Sequence, residues 1–253
     1  MFPELSSPPP PTPLPVMLPA AERTAGATLH EQVYQSLRGA IMCGRFVPGR
    51  ALTIRGVAAM LGTSLMPVRE ALRRLVAERA LELLANRRVS VPHMTPARLD
   101  ELCAARLALE PLAAVRALPH VDGTRLAELR QIDAGIDAAL AAGEVERYLQ
   151  LNQLFHLTLY RAGEPQVLIP LIESLWLQFG PFMRATIGRI GASYVLDRHV
   201  EALAALERRD PLALRLAIES DIRDGMGSLS HEELLRLYRD AAAPAERSAS
   251  ARE

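Results

Sequence analysis

Two short helices joined by a three-residue turn are predicted over residues 53–75, and this pair constrains the fold more than any other feature of the sequence. Thr53 is a favourable N-cap for the first helix, and Gly62 is the residue type that commonly ends a helix. Pro67 is compatible with the second helix only in its first turn, where backbone amides have no intrahelical partner. The second helix is therefore predicted to begin directly after Ser64.

A further helix and a small hairpin flank this pair. Apolar residues recur every four positions from Leu29 to Ile41, which is the spacing of one helix face. The stretch 46–49 is predicted to be a short extended piece that enters a Pro-Gly turn. Residues 81–84 and 89–91 are predicted to be two strands around a tight turn. The order helix, short strand, helix, turn, helix, hairpin is that of a winged helix-turn-helix DNA-binding domain.

Arginine is concentrated in the same segment. Residues 28–95 carry ten arginines and four glutamates, a net charge of +6, in a chain whose net charge is zero. Arg69 and Arg73 are four residues apart, so they lie on one face of the predicted helix. Arginine forms bidentate hydrogen bonds with guanine, and a helix N-terminus favours phosphate. We interpret this helix as one that reads DNA; the alternative is a surface helix with a solvated arginine face.

The chain between residues 96 and 240 is predicted to be entirely helical. Thr95-Pro96 is an N-cap followed by proline at the first helical position. Short connections containing Gly or Pro separate the predicted helices, whose spans are 96–118, 123–142, 145–162, 165–188, 193–208 and 210–240. The predicted fold class is therefore mainly α, with a winged helix-turn-helix domain over 28–95 followed by an all-α helical bundle over 96–240.

Composition limits the remaining possibilities. The proline-rich residues 1–27 and the polar residues 241–253 are predicted to be disordered tails. No apolar run approaches the ~20 residues of a membrane span, and the N-terminus lacks the regions of a secretory signal, so a cytoplasmic protein is expected. Cys43 and Cys103 are too few and too far apart for a metal motif or a disulfide framework, and we expect buried, reduced thiols.

The Pro48-Gly49 turn, the run from Pro67 to Leu72 (PVREAL) and the spacing between them are specific features of residues 29–92. Together they resemble the GntR family of bacterial transcription regulators. The resemblance implies DNA contacts from the second helix, from the start of the reading helix and from a wing that reaches the minor groove. The residues concerned are Arg55, Thr63, Ser64, Leu65, Met66, Arg69, Arg73, Arg87 and Arg88.

Two residues of the reading helix depart from the pattern of this family. The family commonly has arginine followed by threonine where this chain has Leu65 and Met66. These two side chains cannot form hydrogen bonds with bases, but they can contact the methyl group of thymine. We therefore expect an operator that differs from the common one of the family at the positions that these residues reach.

Three segments of the helical half have a recognisable pattern. Residues 101–111 resemble the first helix of the FCD effector domain of the FadR subfamily, and residues 152–156 and 197–199 resemble two of its later segments. The metal site of that family consists of an Asp, a His four residues later and two further His. The resemblance carries these positions over to Asn152, His156, His199 and Asp221.

Spacing and chemistry support part of this metal set. Asn152 and His156 are four residues apart and share one helix face, while His199 and Asp221 lie on other helices of the predicted bundle. Two imidazoles and one carboxylate suit Zn, Ni, Fe or Mn. Asn152 is a neutral and weak ligand, so a metal-free pocket is the alternative.

Arg106 is the candidate effector-binding residue. The resemblance places it near the metal, where its guanidinium would hold the carboxylate of a small organic acid. The alternative is a surface ion pair with Glu110, four residues later. Trp176, Phe179 and Phe182 are predicted to be core residues.

These features predict a ligand-responsive transcription regulator without catalytic residues, which we expect to act as a repressor. The expected partner of its homodimer is double-stranded DNA with a pseudo-palindromic operator. A small carboxylate bound in the helical domain is expected to change the affinity for DNA. Two alternatives remain: a metal-dependent enzyme that uses His156, His199 and Asp221, and an architectural DNA binder without sequence preference.

Overall fold

The computed structural model describes residues 28–46, 48–49, 51–84, 88–190 and 198–227, except for the side chains of 185–190 and 227. Both predicted tails, residues 85–87 of the hairpin turn, the start of the helix predicted over 193–208 and the last part of the final predicted helix lie outside the described residues. Within the described ranges the chain forms a small winged unit followed by a bundle of six helices.

The N-terminal unit has the predicted order of elements. They are α1 (Leu29–Met42), β1 (Ala51–Leu52), α2 (Ile54–Leu61), α3 (Leu65–Ala77), β2 (Glu82–Leu83) and β3 (Val89–Ser90). The strands form an antiparallel sheet in the order β1-β3-β2. The first strand follows the stretch 46–49 that we predicted to be extended. Gly49, at a left-handed φ of 76°, turns the chain before it pairs with β3.

Local capping explains where α2 begins and ends, and a proline marks the first turn of α3. The Thr53 hydroxyl accepts a hydrogen bond of 3.0 Å from the Gly56 amide, and Gly62 ends α2 at a left-handed φ of 61°. The next helix, α3, begins directly after Ser64 and buries Pro67 in its first turn. The predicted position of this proline is therefore confirmed.

The helical domain follows without an intervening strand. Its helices are α4 (Pro96–Ala117), α5 (Gly123–Ala141), α6 (Val145–Tyr160), α7 (Leu168–Ile190), α8 (His199–Glu207) and α9 (Pro211–Gly227). Helix α4 packs against α9 and α7, and α5 packs against α6 and α8. We predicted that α7 begins at residue 165, but it begins at Leu168; Glu164, at a left-handed φ of 50°, ends the turn before it.

Membrane-spanning helices do not occur in the described ranges, where every helix falls short of the length or the apolar character that a bilayer demands.

Helices α1 and α7 join the two units. A side chain at Gly180 of α7 would collide with the backbone carbonyl of Met42, so glycine is needed for the helices to approach this closely. Arg38 of α1 and Glu173 of α7 form an ion pair of 2.7 Å beside this crossing. The N-terminal unit and the helical bundle are therefore in direct contact through α1 of the first and α7 of the second.

Candidate functional site

The N-terminus of α3 exposes a mixed apolar and basic surface. Leu65 and Met66 are the first two residues of the helix, with 43 % and 58 % of their surfaces exposed. Ser64 and Arg69 are also exposed, while Val68, Leu72 and Leu75 on the inner face are buried. The helix therefore presents its first turn to solvent, as a helix that reads a DNA groove requires.

The remaining DNA-contact candidates differ in their surroundings. Arg55 is exposed in the first turn of α2, and Thr63 is half-buried in the turn before α3. Arg73 is exposed and donates a hydrogen bond of 3.3 Å to Glu70. Arg88 is exposed directly before β3, whereas Arg87 lies outside the described residues.

Arg74, the neighbour of Arg73, has a structural role. Its guanidinium lies 3.5 Å from the centre of the Tyr34 ring and forms ion pairs with Glu31 and Glu78. The Tyr34 hydroxyl donates to both carboxylate oxygens of Glu78, at 2.7 and 2.9 Å. Arg74 therefore fixes α3 against α1 and is occupied by partners within the protein.

Three side chains that the sequence analysis assigned to a metal converge inside the helical domain. His156 is on α6, His199 is the first residue of α8, and Asp221 is on α9. The Nε2 atom of His156 lies 3.3 Å from Nε2 of His199 and 3.1 Å from Oδ2 of Asp221. One ligand atom from each residue lies within 4.8 Å of the others, and both histidines are fully buried.

Each imidazole has a polar neighbour on its other nitrogen. His156 Nδ1 lies 3.0 Å from the Tyr160 hydroxyl, and His199 Nδ1 lies 3.4 Å from a carboxylate oxygen of Asp133. Such neighbours fix the orientation of metal-binding histidines in many proteins. Neither residue was predicted from the sequence, although Asp133 stands between Ile132 and Ile136 on a buried face of α5.

Asn152, the fourth candidate, is buried one helical turn before His156. At this spacing its amide lies on the same face of α6 as the His156 ring. The described distances within the cluster join His156, His199 and Asp221. The assignment of Asn152 as a ligand therefore stays a prediction.

Arg106 is in an ion pair with Glu110, but the pair is buried and not on the surface. Arg106 is 3 % exposed, and its Nε and Nη2 atoms lie 2.5 and 3.4 Å from the two oxygens of Glu110. The centres of the Trp176 and Phe179 rings each lie 4.7 Å from the guanidinium carbon. An external carboxylate would have to displace Glu110 from this guanidinium, and the effector-binding role of Arg106 stays a prediction.

Trp176, Phe179 and Phe182 are buried in the core, as predicted. Trp176 also contacts the cluster, because its ring centre lies 5.4 Å from that of His156. Its indole nitrogen is buried without a hydrogen-bond acceptor among the described residues. One aromatic wall of α7 therefore borders both His156 and Arg106.

Electrostatics favour a cation in the cluster. Burial alone would raise the pKa of Asp221. Its interactions with His156 and His199 and the hydrogen bond from the Arg198 amide outweigh burial and lower this pKa to about 2. The Asp221 carboxylate is therefore ionised at neutral pH and attracts positive charge to a buried place.

Known proteins resemble the chain in both halves. Residues 29–91 match the family described as bacterial regulatory proteins, gntR family, and residues 101–224 match the FCD domain. The HTH-type transcriptional regulator McbR of Escherichia coli (strain K12) is 32 % identical over 197 residues, which cover 76 % of this chain and 89 % of McbR. The HTH-type transcriptional repressor RspR of the same organism is 23 % identical over 78 % of this chain and 86 % of RspR.

Structural comparison agrees with these matches. The solved structure of E. coli McbR/YncC superimposes with a TM-score of 0.75 at 28 % sequence identity and covers 85 % of this chain and 99 % of its own. The fold class and the helix-turn-helix that the sequence predicts are therefore confirmed. The chain belongs to the GntR family of bacterial transcription regulators and carries an FCD domain after its helix-turn-helix.

Proposed function

We propose that this GntR-family regulator is a metal-containing repressor that binds a pseudo-palindromic operator as a homodimer and responds to a small organic acid. The observation that carries the metal part is the convergence of three ligand atoms from His156, His199 and Asp221. The exposed N-terminus of α3 carries the DNA part. As a regulator of transcription, the protein would act in the cytoplasm.

The DNA interface is formed by α3, the first turn of α2 and the hairpin. Its proposed contacts come from arginines of the N-terminal unit and from the residues around the start of α3: Arg55, Thr63, Ser64, Leu65, Met66, Arg69, Arg73, Arg87 and Arg88. Arg69 suits base readout and Arg73 suits phosphate, because Arg73 lies one turn further from the helix N-terminus. A homodimer would present two such helices to the two halves of one operator.

The spacing of the cluster supports a bound metal ion. Metal–ligand bonds of roughly 2.0–2.2 Å at tetrahedral angles place neighbouring donor atoms about 3.3 Å apart. The distances from His156 Nε2 to His199 Nε2 and Asp221 Oδ2, 3.3 and 3.1 Å, fit this geometry. Two imidazoles and a carboxylate suit Zn, Ni, Fe or Mn, and Asn152 adds at most a weak fourth donor.

The effector would complete the coordination of this ion. Three protein donors leave coordination positions free for a carboxylate, and such an anion also balances the charge of a divalent cation better than water does. Arg106 contributes positive charge to the same region, but an acid could bind its guanidinium only in competition with Glu110. We therefore assign the effector carboxylate to the metal; a contact with Arg106 would first require the release of Glu110.

Metal analysis tests the first half of the proposal. The purified chain is stripped with a chelator, reloaded with Zn, Ni, Fe or Mn and analysed for bound metal. We expect one ion per chain in the wild type and a large loss in His156→Ala. The exposed His120, in the same domain, provides the matched control, because His120→Ala should retain the ion. Equal metal content in all three proteins would reject the site.

Operator binding tests the second half. Selection of bound sequences from random DNA should return a sequence with two-fold symmetry, and its affinity should fall steeply with salt concentration. Addition of small organic acids to the metal-loaded protein should release the DNA. Binding that ignores sequence would support an architectural protein, and chemical turnover of an added acid would support the enzyme alternative.

A further inference from the structure

A continuous row of hydrogen bonds connects Arg106 to His156 across two helices. Arg106 Nε donates to Glu110 Oε1 at 2.5 Å. The Tyr160 hydroxyl donates to Glu110 Oε2 at 3.0 Å, and its oxygen lies 3.0 Å from His156 Nδ1. We call the first three residues the Arg106–Glu110–Tyr160 chain. It is fully buried, so water cannot substitute for any of its members.

The chemistry of these groups fixes the direction of every hydrogen bond. A guanidinium only donates, and the carboxylate that it pairs with only accepts. Tyr160 has a single hydroxyl proton, and it donates this proton in its hydrogen bond to Glu110. Towards His156, the Tyr160 oxygen can therefore only accept.

The consequence for His156 follows directly. Its Nδ1 atom faces an acceptor and must carry a hydrogen, so in the neutral ring the lone pair lies on Nε2, where a metal ion can bind it. Nε2 lies 3.1 Å from Asp221 Oδ2, so this lone pair and the carboxylate both require a positive species between them. We infer that the Arg106–Glu110–Tyr160 chain is a positioning device that fixes the Nδ1–H form of His156 for metal binding, and that it is not an effector clamp.

This inference rests on the metal part of the proposed function and adds residues that act through His156 without touching the ion. The contrasting interpretation has Arg106 bind the effector. If Arg106 exchanged Glu110 for the effector, the Glu110 carboxylate would be left buried without its cation, and an unpaired buried charge is strongly unfavourable. The hydrogen-bond directions therefore favour positioning over effector binding.

Zinc affinity of the full chain provides the first measurement. Competition with a chromophoric chelator gives the dissociation constant of the wild type and of Tyr160→Phe. We expect Tyr160→Phe to bind zinc about 10–100-fold more weakly, the usual effect of losing a hydrogen-bond partner of a metal-binding histidine. Tyr34→Phe is the matched control, because its hydroxyl also donates to a glutamate but lies in the N-terminal domain, and it should leave zinc affinity unchanged.

The Tyr160→Phe substitution in a second protein background shows whether Tyr160 positions His156 or only fills space. The double variant Arg106→Met/Glu110→Leu removes both charges together and avoids an unpaired one. Tyr160 is then released from Glu110 and can donate to His156 Nδ1, which favours the wrong form of the ring. In this background Tyr160→Phe should increase zinc affinity, although the same substitution decreases it in the wild type. A packing defect would lower the affinity in both backgrounds.

The outcomes are distinguishable. A wild type that binds no zinc would overturn the metal part of the proposed function together with this inference. A wild type that binds zinc, with Tyr160→Phe within twofold of it, would overturn the inference alone. If the double variant does not fold, the comparison of Tyr160→Phe with Tyr34→Phe still decides. A double variant with normal zinc affinity and lost response to organic acids would establish the effector clamp instead.

Discussion

Arg38 of α1 donates a hydrogen bond of 2.7 Å to Glu173 of α7, and both side chains are only 16 % exposed. The same carboxylate receives a second arginine, Arg161, which follows α6 directly. One carboxylate on α7 therefore binds the DNA-binding domain with one oxygen and its own domain with the other. This shared group makes the domain contact sensitive to single substitutions.

Removal of the Glu173 charge should weaken the protein measurably. We expect Glu173→Gln to lower the free energy of unfolding by about 1–2 kcal/mol, because a hydrogen-bonded charge at a mostly buried place is lost. Glu207→Gln is the control, since Glu207 forms an exposed pair with Arg130 and should change stability by less than about 0.5 kcal/mol. Urea unfolding of both variants measures this, and equal effects would contradict the assigned role of Glu173.

Gly180 should tolerate no side chain. Gly180→Ala places a methyl group against the Met42 carbonyl, and we expect a loss of about 1–3 kcal/mol from overpacking. Gly225 lies in α9 with open space around the position of a Cβ atom. Gly225→Ala should therefore stabilise the protein by up to about 1 kcal/mol through helix propensity. Thermal unfolding compares the two, and the prediction fails if both substitutions act in the same direction.

Met66 should recognise a thymine methyl group in the operator. We expect Met66→Ala to reduce operator affinity about fivefold, the value of roughly one buried methyl or methylene group. Replacement of the contacted thymine by uracil should have the same effect on the wild type and little further effect on Met66→Ala. Fluorescence anisotropy at fixed salt measures all four combinations. Val167→Ala, exposed in the helical domain, is the control, and additive losses would exclude a direct contact.

The N-terminal domain should lose stability at alkaline pH because of Tyr34. Burial and the hydrogen bond to Glu78 raise the pKa of Tyr34 to about 12 in the folded protein. The unfolded chain releases this proton near pH 10, so the stabilisation is complete below pH 10 and is lost between pH 10 and 12. Tyr34→Phe should gain on the order of 2 kcal/mol relative to the wild type over this interval. Urea unfolding at several pH values tests it, and parallel curves for the two proteins would contradict it.

Local signals explain which parts of the fold are predictable. Thr53 and Gly62 act on their own backbone neighbours, so the sequence predicts both ends of α2 correctly. Pro67 restricts the start of α3 in the same way. The pairing of β1 with β3 joins Ala51 to Ser90, and no local pattern encodes a contact at that distance along the chain.

The candidate site was likewise predictable only in part. His156, His199 and Asp221 are identified by resemblance, and the structure brings them together. Tyr160 and Asp133 are missed because their neighbours come from other helices and carry no motif. The spacing of Arg106 and Glu110 predicts their ion pair, but its burial depends on the aromatic wall that α7 places over it.

Helix α7 links the cluster of His156 to the DNA-binding domain, so binding at either place can affect binding at the other. Trp176 on this helix borders His156 and Arg106, while Glu173, one turn earlier, holds Arg38 of the DNA-binding domain. Suppose that α7 has two alternative placements and that an acid binds more tightly to the protein in one of them. The acid then also favours the placement of α3 that goes with it. By reciprocity, the operator must then change the affinity for the acid by the same factor. If an acid binds at the metal cluster as proposed, DNA is in this sense an effector of that cluster.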